Sequence, residues 1–194
     1  IFGSGCDIDG IIISGNDCYI NGGGWDTLSN GGTARDGIDI TGTDCIVENI
    51  AVQTTAGGGV IQSGVRIAAA RAIVKKVKVV DSDHAGINMT TSGDVLVEGC
   101  VVLGADGDGI NLNGARARVI GNHLIAAGES GIEVGSGGDN SVIVGNIIQD
   151  QVGDSILIDT NAENCVVVGN RTDGAIVDNS GTSLEENLNV ETAF

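Results

Sequence analysis

Along this chain a short pattern recurs in which a small residue is followed by an apolar, a variable and an apolar position. It reads Gly10-Ile11-Ile12-Ile13, Gly37-Ile38-Asp39-Ile40, Gly64-Val65-Arg66-Ile67 and Gly86-Ile87-Asn88-Met89, then Gly109-Ile110-Asn111-Leu112 and Gly131-Ile132-Glu133-Val134. A seventh copy, Ser155-Ile156-Leu157-Ile158, has Ser in place of Gly. Subtracting successive starts gives 27, 27, 22, 23, 22 and 24 residues. Alternation of apolar and variable positions has the period of a strand, in which successive side chains point to opposite faces.

Two further columns drift in phase with the first. One starts at Cys18, Cys45, Ala72, Val95, Ala117, Ser141 and Cys165, and the other at Ile50, Val77, Cys100, Asn122, Asn146 and Asn170. Three registers that shift together over the same insertions define one repeating unit stacked on itself. The expected fold is therefore all-β, a single-stranded right-handed parallel β-helix of about seven coils of 22 to 27 residues, each with three short strands. Ile38, Ile40, Val65, Ile67, Ile87, Met89, Ile110, Leu112, Ile132 and Val134 are expected to point inward. Residues 1–178 form the helix in this reading, and 179–194 cap its open end, where unpaired strand groups and core would otherwise be exposed.

Composition agrees. Of 194 residues, 41% are apolar, enough for one core; 33 are Gly and none is Pro. Proline at its usual frequency of about 5% would have supplied roughly ten. Its absence leaves every strand its N–H for the ladder, and Gly, Asn and Asp serve the corners. Four of the five cysteines fall in inward columns, Cys18 stacked on Cys45, which favours buried thiols over a disulfide framework. No apolar run of about 18 residues and no charged-then-apolar leader is visible. The first nine residues look like the tail of an earlier coil, so an N-terminal portion is expected upstream of Ile1. A net charge of −17 opposes nucleic acid and anionic membrane surfaces as partners, and opposes polyuronates unless cations mediate.

The Gly-Ile-x-Ile strand followed by turns such as Val119-Ile120-Gly121-Asn122 and Ile143-Val144-Gly145-Asn146 resembles the parallel β-helix repeat of the pectate-lyase-like superfamily over roughly residues 10 to 178. That superfamily includes polysaccharide lyases, polygalacturonase-like hydrolases, uronan epimerases and phage tailspikes, so the resemblance implies a polysaccharide partner. It is specific for fold and weakly so for chemistry. Asn122, Asn146 and Asn170 are expected to form an amide ladder. Glu48, Lys75 and Glu98 alternate in sign and are expected to form an outward ion-pair ladder that serves register more than stability.

Function is sought where the repeat is interrupted. The first two coils carry extra residues in 22–36 and 54–63, and insertions in adjacent repeats project from one side. The first insertion holds the only Trp, Trp25, a candidate sugar platform on a glycine-rich loop, with Asp26, Arg35 and Asp36. Beside it runs the outer row Ile12, Asp39, Arg66, Asn88, Asn111, Glu133 and Leu157, of which the polar members join Trp25 and Asp36 as candidate substrate-binding residues. The turns entering that row add Asp81, Asp83, His84, Asp106, Asp108 and Glu129. Asp83 and Asp106 share an offset and should stack. Paired carboxylates suit glycoside cleavage and His84 suits proton transfer, which makes Asp83, His84, Asp106 and Asp108 the candidate catalytic set; each Asp-Gly also reads simply as a turn. No resident cofactor is expected, although calcium is the cation that Asp81, Asp83, Asp106 and Asp108 would take.

Against polygalacturonase-like motifs, Arg35-Asp36-Gly37-Ile38-Asp39 is similar to N-T-D-G at Asp36 and Gly37 only, and Asp83-His84-Ala85 stands where the family has Gly-His-Gly. Arg66 alone supplies a base on the strand face. The favoured expectation is a glycan-recognising module of tailspike or tail-fibre type, on a virion or extracellular, with cleavage optional. A stand-alone lyase, hydrolase or epimerase is the alternative, and a scaffold without ligand the third. Ile46, Ile73, Leu96, Val142 and Val166, with Ile120, Val144 and Val168, should form an outward apolar stripe on the second strand. Such a patch marks an interface, and a homo-oligomer is expected, a trimer by resemblance to tailspikes.

Overall fold

The computed structural model describes residues 10–27, 36–54, 62–90, 93–182, 184–185 and 190–191. Among these there is no helix, and every strand pair is parallel. Each coil crosses three faces. Face 1 is an eight-stranded sheet built from Ile11–Ile13, Ile38–Ile40, Val65–Ile67, Ile87–Met89, Ile110–Leu112, Ile132–Val134, Ile156–Ile158 and Ile176–Asp178. Faces 2 and 3 carry the other two columns. In the first two coils they are joined, because Tyr19–Thr27 and Ile46–Thr54 each run round the corner as one nine-residue strand.

All ten residues expected to point inward from face 1 are at most 1% exposed. The alternating set on face 2, from Cys45 and Val47 through Ser141 and Ile143 to Cys165 and Val167, is fully buried as well. Face 3 completes the core with Val52, Val79, Val102, Leu124 and Ile148. These face-3 side chains explain the Gly of the repeat. A Cβ placed on Gly86 would stand 2.3 Å from a Val102 methyl and 2.7 Å from the Gly109 carbonyl oxygen of the next coil, and Gly37, Gly64, Gly109 and Gly131 meet equivalent neighbours. The motif begins with Gly because core packing and coil stacking both close on that one point.

The corners turn through left-handed residues. Between faces 1 and 2 the column is Asp17, Asp44, Arg71, Asp94, Arg116, Asn140 and Asn164, with φ between 56° and 60°. Asp and Asn tolerate this region, whereas for Arg it is disfavoured. Here each Arg is held from the coil before: Arg71 grips Asp44 with two bonds of 2.6 Å, and Arg116 grips Asp94 with bonds of 2.6 and 2.8 Å. The alternating signs of this corner were not part of the sequence expectation.

The expected asparagine ladder is present and buried. Asn122 Nδ2 donates to Asn146 Oδ1, and Asn146 Nδ2 to Asn170 Oδ1, each at 2.9 Å. The same oxygens accept the Asn122 and Asn146 backbone N–H groups, while the Cys100 N–H donates to Asn122 Oδ1 at 2.8 Å. The remaining amide hydrogens reach the carbonyls of Val97, Val119 and Ile143.

Several expectations change. The repeat suggested seven rungs, and Ile176–Asp178 adds an eighth. Its inward third position is Asp178, whose carboxylate accepts from the Ser180 N–H and hydroxyl, so the apolar signature is lost there. In 179–194 the described strands Leu184–Glu185 and Val190–Glu191 pair with Val166–Val167 and Arg171–Thr172. The charge ladder forms on one side only: Lys75 Nζ meets Glu98 at 2.8 Å, and Glu48 is taken by Tyr19 and Asn21. Residues 22–27, expected in a loop, are strand, with 23–27 paired to 50–54. The apolar stripe points outward as expected but is half-buried, since in-register neighbours about 4.8 Å away cover one another's flanks.

Candidate functional site

The outer row of face 1 is set by register alone. Ile12 lies under Asp39, Asp39 under Arg66, Arg66 under Asn88, Asn88 under Asn111, Asn111 under Glu133 and Glu133 under Leu157. Five consecutive polar side chains thus stand one strand spacing apart on a rigid sheet, with Ile12 and Leu157 at the ends.

Two clusters form along it. In the first, Arg66 donates to Asp39 Oδ1 at 2.8 Å and stands 4.0 Å from Asp36 Oδ2. Asp36 Oδ1 accepts the Ser63 N–H at 3.0 Å, which ties one coil to the next. Burial, then the charge of Asp39, raises the Asp36 carboxyl above its ordinary range against the pull of Ser63 and Arg66. A cleft of about 240 Å³ opens here, lined by Asp36, Gln62, Ser63, Arg66, His84, Asn88 and Thr90. The expected site residues Asp36, Arg66, His84 and Asn88 therefore share one cavity, and Asp39 braces its arginine.

In the second cluster Asn111 Nδ2 donates to both Asp108 Oδ2, at 2.8 Å, and Glu133 Oε2, at 3.0 Å, while Asn113 donates to Asn111 Oδ1. Asp108 is 3% exposed, and its other oxygen accepts the Ser130 N–H at 3.0 Å. The hydrogen bond with Asp108, then burial, then the charges of Asp108, Glu129 and Asp159 push the Glu133 carboxyl from 4.5 up to about 7. Asp108 is buried in the turn before Ile110–Leu112 as a brace equivalent to Asp36, whereas the other expected catalytic groups are exposed.

Asp83, His84 and Asp106 are exposed on the ridge before the strands. Asp106 donates its N–H to the Ser82 carbonyl and Gly107 to that of His84, so the Asp83 and Asp106 turns stack as their shared offset implied. Among the described residues no three His, Cys, Asp or Glu side chains are grouped to hold a metal ion. Trp25 sits in strand, corrected from a loop, at the register position of Val52; its side chain lies outside the described residues, as does Arg35.

The sequence reading missed Gln62, Ser63 and Thr90 in the cleft. Ser63 had a signal, because it occupies the column Asp36, Ser63, Ala85, Asp108, Ser130 that precedes each Gly. Thr90 likewise follows its strand as Asn113 does.

A family model described as "Right handed beta helix region" matches residues 2–189. The chain belongs to the right-handed β-helix family. No curated protein and no solved structure matches it significantly. In this β-helix the stacked coils present hydrogen-bonding groups at a constant spacing along face 1. The first cluster presents an arginine, a histidine, amides and hydroxyls around a cavity of about 240 Å³. The second presents a carboxyl pushed up to about 7, so that near neutral pH it is partly protonated and can donate as well as accept.

Proposed function

We propose that the chain is a carbohydrate-recognising β-helix module of tailspike or tail-fibre type that binds a bacterial surface glycan along face 1, as a virion or extracellular homo-oligomer. The observation that carries the reading is the unbroken polar row from Asp39 to Glu133 with its cleft at Arg66 and Asn88. Mixed donors and acceptors with few net charges free suit the hydroxyls of neutral or amino sugars. The half-buried apolar stripe on face 2 supports subunit packing, with threefold symmetry taken from the resemblance to tailspikes.

Cleavage is a second reading, favoured by the stacking of Asp83 on Asp106 beside His84 at the rim of the cleft. Titration calorimetry against purified bacterial surface polysaccharides tests the first reading. Binding by the wild-type chain that falls at least tenfold in Asn88→Ala is expected; binding unchanged in that variant places the ligand elsewhere. Product release that stops in the double variant Asp83→Asn, Asp106→Asn, with binding kept, is expected for the second, and unchanged turnover rejects it. Light scattering of the intact protein, repeated with Ile120→Lys and Val144→Glu, tests the assembly: a monomer in both cases removes the interface.

A further inference from the structure

The corner leading from face 1 into face 2 sets two thiols one above the other. Tyr19 and Ile46 are register partners, and Ile46 donates its N–H to the Cys18 carbonyl at 2.8 Å, so Cys18 lies directly under Cys45. In-register neighbours on parallel strands stand about 4.8 Å apart, within the window of about 4.4–6.8 Å that a disulfide spans between Cα atoms. The side chains converge as well. Cys18 Sγ and Cys45 Sγ both donate to one acceptor, the Gly15 carbonyl oxygen, each at 3.1 Å, and the two sulfurs can therefore be no farther apart than twice that distance.

The pair differs in access. Cys45 is fully buried, whereas Cys18 is part-exposed, as are Ile11 and Ile20 of the same coil. The other described cysteines have no cysteine beside them in their columns: Cys100 stacks between Val77 and Asn122, and Cys165 follows Ser141. Both are buried.

We propose that Cys18 and Cys45 are a redox-sensitive pair that closes into an inter-coil disulfide when the protein meets a small-molecule disulfide such as oxidised glutathione. The part-exposed Cys18 enters first. Its thiol gives its proton to solvent, and the thiolate attacks one sulfur of the oxidant. The S–S bond of the oxidant breaks, and one thiolate leaves with the electron pair. Cys45, whose thiol is pushed up by burial and is the poorer entry point, then loses its proton and attacks the Cys18 sulfur of the mixed disulfide. The new S–S bond forms as the second thiolate leaves. The protein dithiol has lost two electrons and two protons, and the oxidant has become two thiols. Closure ties the first described coil, where Ile11, Cys18 and Ile20 are only partly covered, to the next coil, whose inward side chains are buried, and restrains the unfolded chain as well.

The test is to incubate the full chain with oxidised glutathione, block remaining thiols under denaturing, non-reducing conditions, and map the peptides by mass. A Cys18–Cys45 cross-linked peptide, two hydrogens lighter than the pair of thiols, is expected, with Cys100 and Cys165 carrying the blocking label. The thermal midpoint of the oxidised wild-type chain should rise by several degrees over the reduced one, and that rise should be absent in Cys18→Ser and in Cys45→Ser. Label on Cys18 and Cys45 after oxidation, a lasting glutathione adduct on Cys18, a link from Cys18 to Cys6, or a covalent dimer would each overturn the proposal. The mapping uses only the unaltered chain, so it decides the matter even where a serine variant fails to fold.

Discussion

Two polar columns run up this molecule and are built by the same stacking, yet they differ in kind. The inner one, Asn122, Asn146 and Asn170, repeats one residue; each amide oxygen meets the donors of the coil before, and each Nδ2 reaches a backbone carbonyl. The outer one, from Asp39 to Glu133, changes residue at almost every step. It leaves Asp36 near Asp39, and Glu133 near Asp108, with like charges side by side. Identical stacked amides satisfy each other and serve the fold. Unlike stacked groups leave bonding capacity and charge unspent, which is what a ligand can use.

The contrast can be broken from the inside first. Asn146→Ala strips the Asn122 N–H of its acceptor and the Val119 carbonyl of its donor in a dry core, and is expected to lower unfolding free energy by about 3 kcal/mol in a denaturant titration. A loss under 1 kcal/mol would mean that the ladder is ornamental. Gly86→Ala comes next, because its Cβ would press on Val102 and on the Gly109 carbonyl; overpacking of this kind costs about 2 kcal/mol and should also displace Asn88 two residues on.

Glu133 tests the charge strain of the outer row. Its carboxyl is raised in the folded chain, so the folded state holds the proton more tightly than the unfolded one. The stabilisation is complete below about pH 4.5 and is lost as pH rises to about 7. A shift of that size corresponds to about 3 kcal/mol, which partial exposure reduces to on the order of 1–2 kcal/mol. Glu133→Gln should therefore be more stable than the wild-type chain at pH 8 and equal to it at pH 4, read from melts at both values. A variant no better at pH 8 removes the repulsion. The smallest effect on stability belongs to Asn88→Ala, expected within about 0.5 kcal/mol because its side chain is half-buried on the outer face, while glycan affinity falls at least tenfold. A large loss of stability there would make the outer row a second structural ladder.

The repeat, the inward columns and the asparagine ladder were legible because a parallel stack forces each residue to meet its counterpart one coil away. Spacing in the sequence then equals adjacency in space. The same rule placed Asp39, Arg66, Asn88, Asn111 and Glu133 in a row. It failed where partners lie at different offsets. Gln62 lines the cleft from the second insertion, whose path the repeat does not specify, and Tyr19, two residues off register, reaches the Glu48 carboxylate together with the in-register Asn21. Trp25 was assigned to a loop because Gly22, Gly23 and Gly24 read as a break, whereas left-handed Gly22 and Gly23 turn the strand round a corner without ending it.

What the amino-acid order determined by itself was the winding: alternation chose strand, the period chose the coil, and the absence of proline left every ladder bond available. What only the tertiary structure decided was the chemistry of the surface. Asp108 is a buried brace and Asp106 an exposed carboxylate although both precede the same Gly, because one turns into the stack toward Asn111 and Ser130 and the other away from it. Burial and partner set a carboxyl's role, and neither is carried by one residue's place in a repeat.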